Sequence, residues 1–142
     1  MTAAEAKIGD VLDDKTVYAG ELNGKKIYAM PQDAKQTDGA NLTMTFNEAA
    51  KYAEKLNAEN YLGHYDWRVP TREELNVLHE NKDKGALKDT FNLTGSLTAG
   101  SYRSSTPLID ILAYVQEFST GHRYSYGRDD HSSVRCVRSP RS

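Results

Sequence analysis

The stretch that decides the fold is Asp66-Trp-Arg-Val-Pro-Thr-Arg-Glu-Glu-Leu75. Pro70 fixes its own φ and lacks an N–H, so the chain enters the next element in an extended conformation. Thr71-Arg-Glu-Glu74 follows at once with the spacing of a capping box. In that motif the Thr hydroxyl accepts from the N–H three residues on, and the Glu carboxylate accepts from the Thr N–H. Leu75 and Leu78 supply a short apolar face, and Gly85 is the expected stop, which predicts a helix over about 71–80.

Working outward, Thr45-Phe-Asn-Glu48 is a second capping box. Phe46, Ala49, Ala50, Ala53 and Leu56 recur at helical spacing, which predicts a helix over about 45–57 with one apolar stripe. Before it, Thr16–Leu22 and Lys25–Met30 flank Asn23-Gly24, a pair that tolerates the positive φ of a tight hairpin turn. A β-hairpin over about 16–30 is expected, then a polar loop over Gln32–Asn41. After the helices, Leu93–Gly100 reads as loop. Ala113–Phe118 and His122–Tyr126 alternate around a Ser119–Gly121 turn, Gly127–Ser133 reads as a polar loop, and Val134–Arg138 reads as a final short strand. Hairpin, two helices and a β/loop region over about 101–138 make one α+β domain spanning 1–142.

Composition excludes several classes. A chain of 142 residues fits one domain. One cysteine, Cys136, excludes an internal disulfide framework and a multi-thiolate zinc site. No apolar run nears the ~18 residues of a membrane span, and no signal peptide is visible at the start. Synthesis in the cytoplasm is expected, and the final location stays open, surface or virion display included. A net charge of -2 gives no reason to expect nucleic acid.

That total hides an asymmetry. Residues 1–100 carry 12 basic and 16 acidic side chains, whereas residues 101–142 carry six Arg, no Lys and four acids. Four of the nine tyrosines also fall in this last segment. Tyr and Arg are enriched at binding hot spots, and they equally suit a Tyr-rich antiparallel sheet with solvated arginines.

No enzyme motif is present. The acidic pairs Asp13-Asp14, Glu73-Glu74 and Asp129-Asp130 sit at turns or helix starts, where acids serve local hydrogen bonding. His64, His79, His122 and His131 share no metal-ligand spacing, so no metal or cofactor is expected. Cys136 alternates with Val134 and Arg138 and reads as a buried structural thiol.

Asp66–Leu75, Tyr102-Arg-Ser-Ser-Thr-Pro107, Phe118-Ser-Thr-Gly121 and Val134-Arg-Cys-Val-Arg138 occur in the order of a family pattern: DWRLPTxxEL, YWSS, FSxG, VRCVR. Over roughly 43–138 the chain resembles the bacterial C-type-lectin-like domains typified by the C-terminal domain of a collagen-like adhesin. The resemblance implies two helices, small antiparallel sheets, and long loops that present a ligand surface. It also implies structural roles for Trp67 and Pro70. Arg103 stands where the family carries Trp; it reads either as the edge of the ligand surface or as a tolerated structural change. The EPN, QPD and WND motifs of calcium-dependent sugar binding are absent. The formylglycine-generating oxidases share this fold but use a cysteine pair, which a single Cys136 does not provide.

Some members of this family are variable proteins of diversity-generating retroelements, in which AAC codons are randomised to NNC. Such codons cannot encode Lys, Glu, Gln, Met or Trp. These five types number 26 here, and only Gln116 and Glu117 lie beyond residue 88. A Ser-, Gly-, Arg- and Tyr-rich β region also lacks them by composition alone. Leu108, Ile109, Ile111 and Leu112 show neither helical nor strand alternation, so they form either a buried turn or an exposed apolar patch. The ligand-binding residues expected from these stretches are Tyr102, Arg103, Leu108, Ile109, Asp110, Ile111, Leu112, Tyr114, His122, Arg123, Tyr124, Tyr126, Arg128, Asp129, Asp130 and His131. The expected partner is a protein or cell-surface ligand bound without catalysis. The alternative is a fixed-specificity glycan or glycosaminoglycan-binding adhesin that uses its arginines electrostatically.

Overall fold

The computed structural model describes residues 6–31, 44–88, 90–91, 101–109, 112–118, 120–128, 130 and 132–139. The expected loops over 32–41 and 93–100 lie outside them. Strand β1 (Val17–Leu22) and strand β2 (Lys25–Ala29) form the predicted hairpin. Asn23 and Gly24 adopt φ of 52° and 82°, the paired left-handed conformation that an Asn-Gly turn accepts at low cost.

Both capping boxes are formed. Helix α1 (Phe46–Ala58) starts at Thr45, whose hydroxyl accepts from Glu48 N–H while Glu48 Oε1 accepts from Thr45 N–H. Helix α2 (Arg72–Glu80) starts at Thr71 with Glu74 in the same reciprocal role. Glu74 does more than cap: its second oxygen pairs with Arg68. One carboxylate thereby ties the helix start to the strand-like segment before it, which is why this acid is buried. Helix α2 ends at Asn81, earlier than Gly85; the Asn81 amide donates to the Ala19 carbonyl at 2.8 Å and fastens the helix end to β1. Gly85 serves a close approach instead, since a Cβ there would lie 2.5 Å from the Gly9 carbonyl oxygen.

Strands β3 (Ser101–Ile109), β4 (Leu112–Glu117) and β5 (Arg123–Gly127) form an antiparallel sheet in that order. The closing strand β6 (Val137–Arg138) is shorter than the predicted 134–138 and joins the other sheet in the order β1-β2-β6. Residues 134–136 are buried without being strand, and Met30 and Cys136 meet through a Met30 N–H to Cys136 carbonyl bond of 3.2 Å.

Two large apolar clusters and a small third one, Leu12 with Tyr18 and Tyr28, fill the interior among the described residues. The first joins Val17, Ile27, Leu75, Leu78, Phe91, Tyr102, Phe118 and Val137 between the hairpin, α2 and the second sheet. The second packs Ala49, Ala53 and Leu56 of α1 against Trp67, Val69, Met30 and Cys136. Ala50, placed on the α1 stripe by its spacing, is exposed. Trp67 is buried, its indole N–H donating to the Tyr61 carbonyl at 2.9 Å, and Asn57 brackets its backbone from both sides. Cys136 is fully buried and burial pushes its thiol up to about 12, which leaves it an inert core group at neutral pH.

Candidate functional site

The β3–β4–β5 sheet divides into an embedded part and an exposed part. Near Ser101 and Glu117 it is interior: Tyr102 packs on Phe118 with ring centroids 4.4 Å apart and meets Phe91 edge-on at 5.5 Å. Toward the β3–β4 turn it emerges into solvent. Ser105, Pro107 and Leu108 are exposed, Leu108 to 44%. Leu112, Tyr114 and Ser125 are half-buried; Arg123 is exposed at the opposite end of β5, across from Gln116.

Leu108 and Leu112 therefore belong to a hairpin, not to an irregular loop. Their missing alternation has a physical cause: the β3–β4 register shifts twice, between Arg103 and Pro107 and again between Pro107 and Ile109. Each irregularity breaks the two-residue period on which strand recognition relies.

Two guanidinium–ring contacts tie this exposed end to the scaffold. Arg72, at the start of α2, has its guanidinium over the Tyr114 ring at 4.3 Å, and its backbone N–H donates to Thr106 Oγ1 at 3.0 Å. Arg128 lies over the Phe46 ring at 4.7 Å, beside the Phe46 N–H to Arg128 carbonyl bond of 2.9 Å. Neither Arg72 nor Phe46 was expected at the site. Their spacing marks a helix start and a core stripe, and nothing in it tells that a neighbouring sheet edge meets them.

Two expected ligand residues need correction. Tyr102 and Arg103 are both fully buried. Residues next to each other on a strand face opposite sides, and here both sides are covered. Tyr102 faces the aromatic cluster. Arg103 reaches across to the Gly127–Asp130 segment, where Nη2 donates to the Gly127 carbonyl at 3.2 Å and the Asp130 carbonyl at 2.5 Å. Of the two readings left open for Arg103, the structural one holds.

The other expected residues distribute as follows. Leu108, Leu112, Tyr114 and Arg128 lie toward the β3–β4 turn, with Asp130 exposed just beyond β5, whereas Arg123, opposite Gln116, and His122 are exposed at the other end of the sheet, beside the β4–β5 turn. Ile109 stands opposite Leu112, Tyr124 opposite Val115 and Tyr126 opposite Ala113 in backbone register. Asp110, Ile111, Asp129 and His131 lie outside the described residues.

The arginine-rich tail is also less of a surface than its composition suggests. Arg135 is fully buried, lies 4.1 Å over the Phe91 ring, and donates to the Thr90 carbonyl at 2.5 Å and the Met30 carbonyl at 3.2 Å. Arg138 is spent on a bidentate pair with Asp66, at 2.7 and 3.1 Å. With Arg103 also interior, half of the six late arginines hold the scaffold together.

A second feature lies where the two ends of the family motif meet. A groove of about 530 Å³ is lined by Gly63, His64, Tyr65, Asp66 and Arg138. Its wall is built from an unusual backbone: Asn60, Leu62 and Gly63 have φ of 50°, 53° and 83°. The left-handed region costs a residue such as Leu62 about 1–2 kcal/mol. His64 is anchored by Asp14, Nε2 to Oδ2 at 2.6 Å, and Asp14 also accepts from Thr16 Oγ1 at 2.7 Å. Partial burial raises the Asp14 carboxyl, and the hydrogen bonds from Thr16 and His64 outweigh it and hold the group below its ordinary range. Asp66 behaves alike, with burial opposed and overcome by Arg138.

Residues 23–138 match the family model of the Lcl C-terminal domain. The chain belongs to this family. The match opens at the hairpin turn, ahead of the 43–138 span of the motifs, and closes with β6. No curated protein matches the chain. The Lcl C-terminal domain is a C-type-lectin-like family, and the two helices with small antiparallel sheets seen here have that α+β architecture. It is a family of ligand-binding domains. Among the described residues no cluster of three or more His, Cys, Asp or Glu converges on a point, and no helix is long and apolar enough to cross a membrane.

Proposed function

We propose that this Lcl C-terminal domain is a variable protein of a diversity-generating retroelement, and that the exposed end of the β3–β4–β5 sheet is its diversified ligand-binding face. One observation carries the reading. Beyond residue 88, the five residue types that NNC codons cannot encode occur only at Gln116 and Glu117, and both have structural work. Gln116 is 1% exposed, and its amide donates to Asn76 Oδ1 at 2.9 Å and to the Gly121 carbonyl at 3.1 Å. Glu117 holds the β4–β5 turn through its backbone bonds to Gly121 and His122. Leu108, Leu112, Tyr114, Arg123 and Arg128 are all types that NNC encodes.

On this reading the scaffold keeps the sheet rigid while the exposed side chains change. Tyr114 and its neighbours supply amphipathic contact area at small entropic cost, Leu108 supplies apolar burial, and Arg128 supplies a forked donor. The burial of Arg103, Arg135 and Arg138 weighs against a fixed polyanion-binding surface, because three of the charges that such a surface would use are engaged inside.

The gene tests the proposal. NNC-type codons at the exposed positions, an adenine-rich near-copy close by and a neighbouring reverse transcriptase gene are the expected result. Ordinary codon usage with no near-copy overturns it.

A further inference from the structure

We infer that the outer edge of β5 is an interface: it pairs with β5 of a second copy of this chain, antiparallel and centred on Tyr124, to make one six-stranded sheet. This interface does not rest on the proposed diversified face.

The other outer strands are covered. Beside β1, Tyr18 N–H donates to the Asp10 carbonyl at 3.0 Å, and Val11 bridges to Val17. Beside β6, Arg68 N–H donates to the Val137 carbonyl at 2.9 Å. Beside β3, the Ser133 and Pro70 carbonyls accept from Arg103 and Ser105 N–H at 2.9 and 2.8 Å. β5 ends the order β3-β4-β5, with no strand beyond it among the described residues. Sheets commonly guard such an edge with lysine, proline or a bulge. Arg123-Tyr-Ser-Tyr-Gly127 has neither Lys nor Pro, and its register with β4 runs from Leu112 to Gln116 without a shift.

One bond fixes which groups lie on that edge. Glu117 N–H donates to the His122 carbonyl at 2.9 Å. Bonded and non-bonded pairs alternate along an antiparallel ladder, so Val115–Tyr124 and Ala113–Tyr126 are the next bonded pairs. Arg123, Ser125 and Gly127 therefore turn their N–H and C=O groups outward. Gly127 is already closed: its N–H donates to Asp130 Oδ2 at 3.1 Å, and its carbonyl accepts from Arg103 Nη2 at 3.2 Å and Asp130 N–H at 3.0 Å. At the other end, His122 N–H is taken by Thr120 Oγ1 at 3.2 Å. The open edge consists of the N–H and C=O groups of Arg123 and Ser125, which have no partner among the described residues.

This edge complements itself. A two-fold axis at Tyr124 sets Arg123 opposite the partner's Ser125, and Ser125 opposite the partner's Arg123. Each is a bonded pair, so four backbone hydrogen bonds satisfy every open group on both chains. A pairing centred on Ser125 instead faces Arg123 with the partner's Gly127, whose groups are taken, and leaves the Arg123 groups unpaired. In the Tyr124 register no like charges stand opposite each other, and Gly127 meets the partner's Gly121, so no side chains meet where the paired stretch ends. So short an interface makes a weak dimer, with Kd on the order of 0.1–1 mM. Antiparallel pairing sends the two β3–β4 turns to opposite ends of the sheet, so a chain that binds ligand at that end is bivalent as a dimer.

The test is sedimentation equilibrium of the full chain up to about 1 mM, with amide hydrogen exchange followed by NMR at low and high concentration. A monomer–dimer equilibrium is expected, with exchange at the Arg123 and Ser125 amides slowing as concentration rises. The Tyr124 and Tyr126 amides, bonded to β4 in both states, should not change. Ser125→Pro removes an outward N–H and no bond to β4, and should abolish the dimer. Ser125→Asp, facing the partner's Arg123, should tighten the dimer about two- to tenfold, and Ser125→Arg should weaken it by a similar factor. The charge pair keeps the test decisive if the proline variant fails to fold. A chain that stays monomeric to about 1 mM, a dimer without concentration-dependent protection at Arg123 and Ser125, or a Ser125→Asp chain that associates more weakly than the parent overturns the inference.

Discussion

Arg103 and Asp130 are joined through the main chain: the guanidinium Nη2 donates to the Asp130 carbonyl at 2.5 Å and, with the same nitrogen, to Gly127 at 3.2 Å. A buried cation thus holds the segment that leaves β5. Hydrogen bonds from a charged donor contribute about 1.5–3 kcal/mol each. Arg103→Met should lower unfolding free energy by about 2–4 kcal/mol in urea denaturation, and Arg103→Lys should recover only part, because the shorter lysine side chain holds its compact ammonium short of the two carbonyls. A loss below about 0.5 kcal/mol would place Arg103 outside the scaffold.

The division between scaffold and face predicts opposite responses along one sheet. Leu108→Ser and Arg123→Ala, both exposed, should leave stability within about 0.5 kcal/mol of the parent. Gln116→Ala, which strips two hydrogen bonds from a buried position, should cost about 1–3 kcal/mol. Thermal melts of the three single variants suffice to compare them.

His79 sets a pH dependence of known sign. Burial against Phe118, whose ring it meets edge-on at 5.4 Å, pushes its imidazole below the ordinary value, with Lys82 adding to the shift. The folded state therefore prefers neutral His79, while the unfolded chain takes up a proton near about 6.5. Its contribution to stability is present above that value and is lost as pH falls through the lower folded value. His79→Gln should flatten the slope of unfolding free energy against pH between about 7.5 and 5.5. Equal slopes in parent and variant would contradict the assignment.

Cys136 should be silent toward thiol reagents. Its thiol is fully buried and pushed up to about 12, so no reactive thiolate forms in the native state. Reaction with Ellman's reagent should proceed only at the rate of unfolding and reach one equivalent in denaturant. Rapid labelling of the native chain would show the core around Met30 and Trp67 to be open.

Much of the fold was legible because local chemistry decides it. Thr45, Glu48, Thr71 and Glu74 announce both helices within four residues each, and Asn23-Gly24 announces the hairpin. The motifs beginning at Asp66 and Val134 pointed to the family. What stayed hidden depends on contacts distant in sequence. Tyr102 and Arg103 look like surface residues until the segment near Ser133 pairs beside β3 and covers them. The β3–β4 hairpin hides its strands behind two register shifts. Arg72 reaches the face only because Tyr114 lies beneath it, and the groove at Tyr65 exists only because Arg138 returns to Asp66.

The central claim is that the exposed end of the β3–β4–β5 sheet is free to vary on a fixed scaffold and binds ligand through what varies. The most direct measurement is a displayed library of the full chain with positions 108, 112, 114, 125 and 128 randomised together. It is sorted first for protease resistance and then against a panel of unrelated proteins. Most members should remain folded, and binders with distinct residues at these positions should emerge for different targets. A library that mostly loses its fold, or one that stays folded and yields no binder, would contradict the claim.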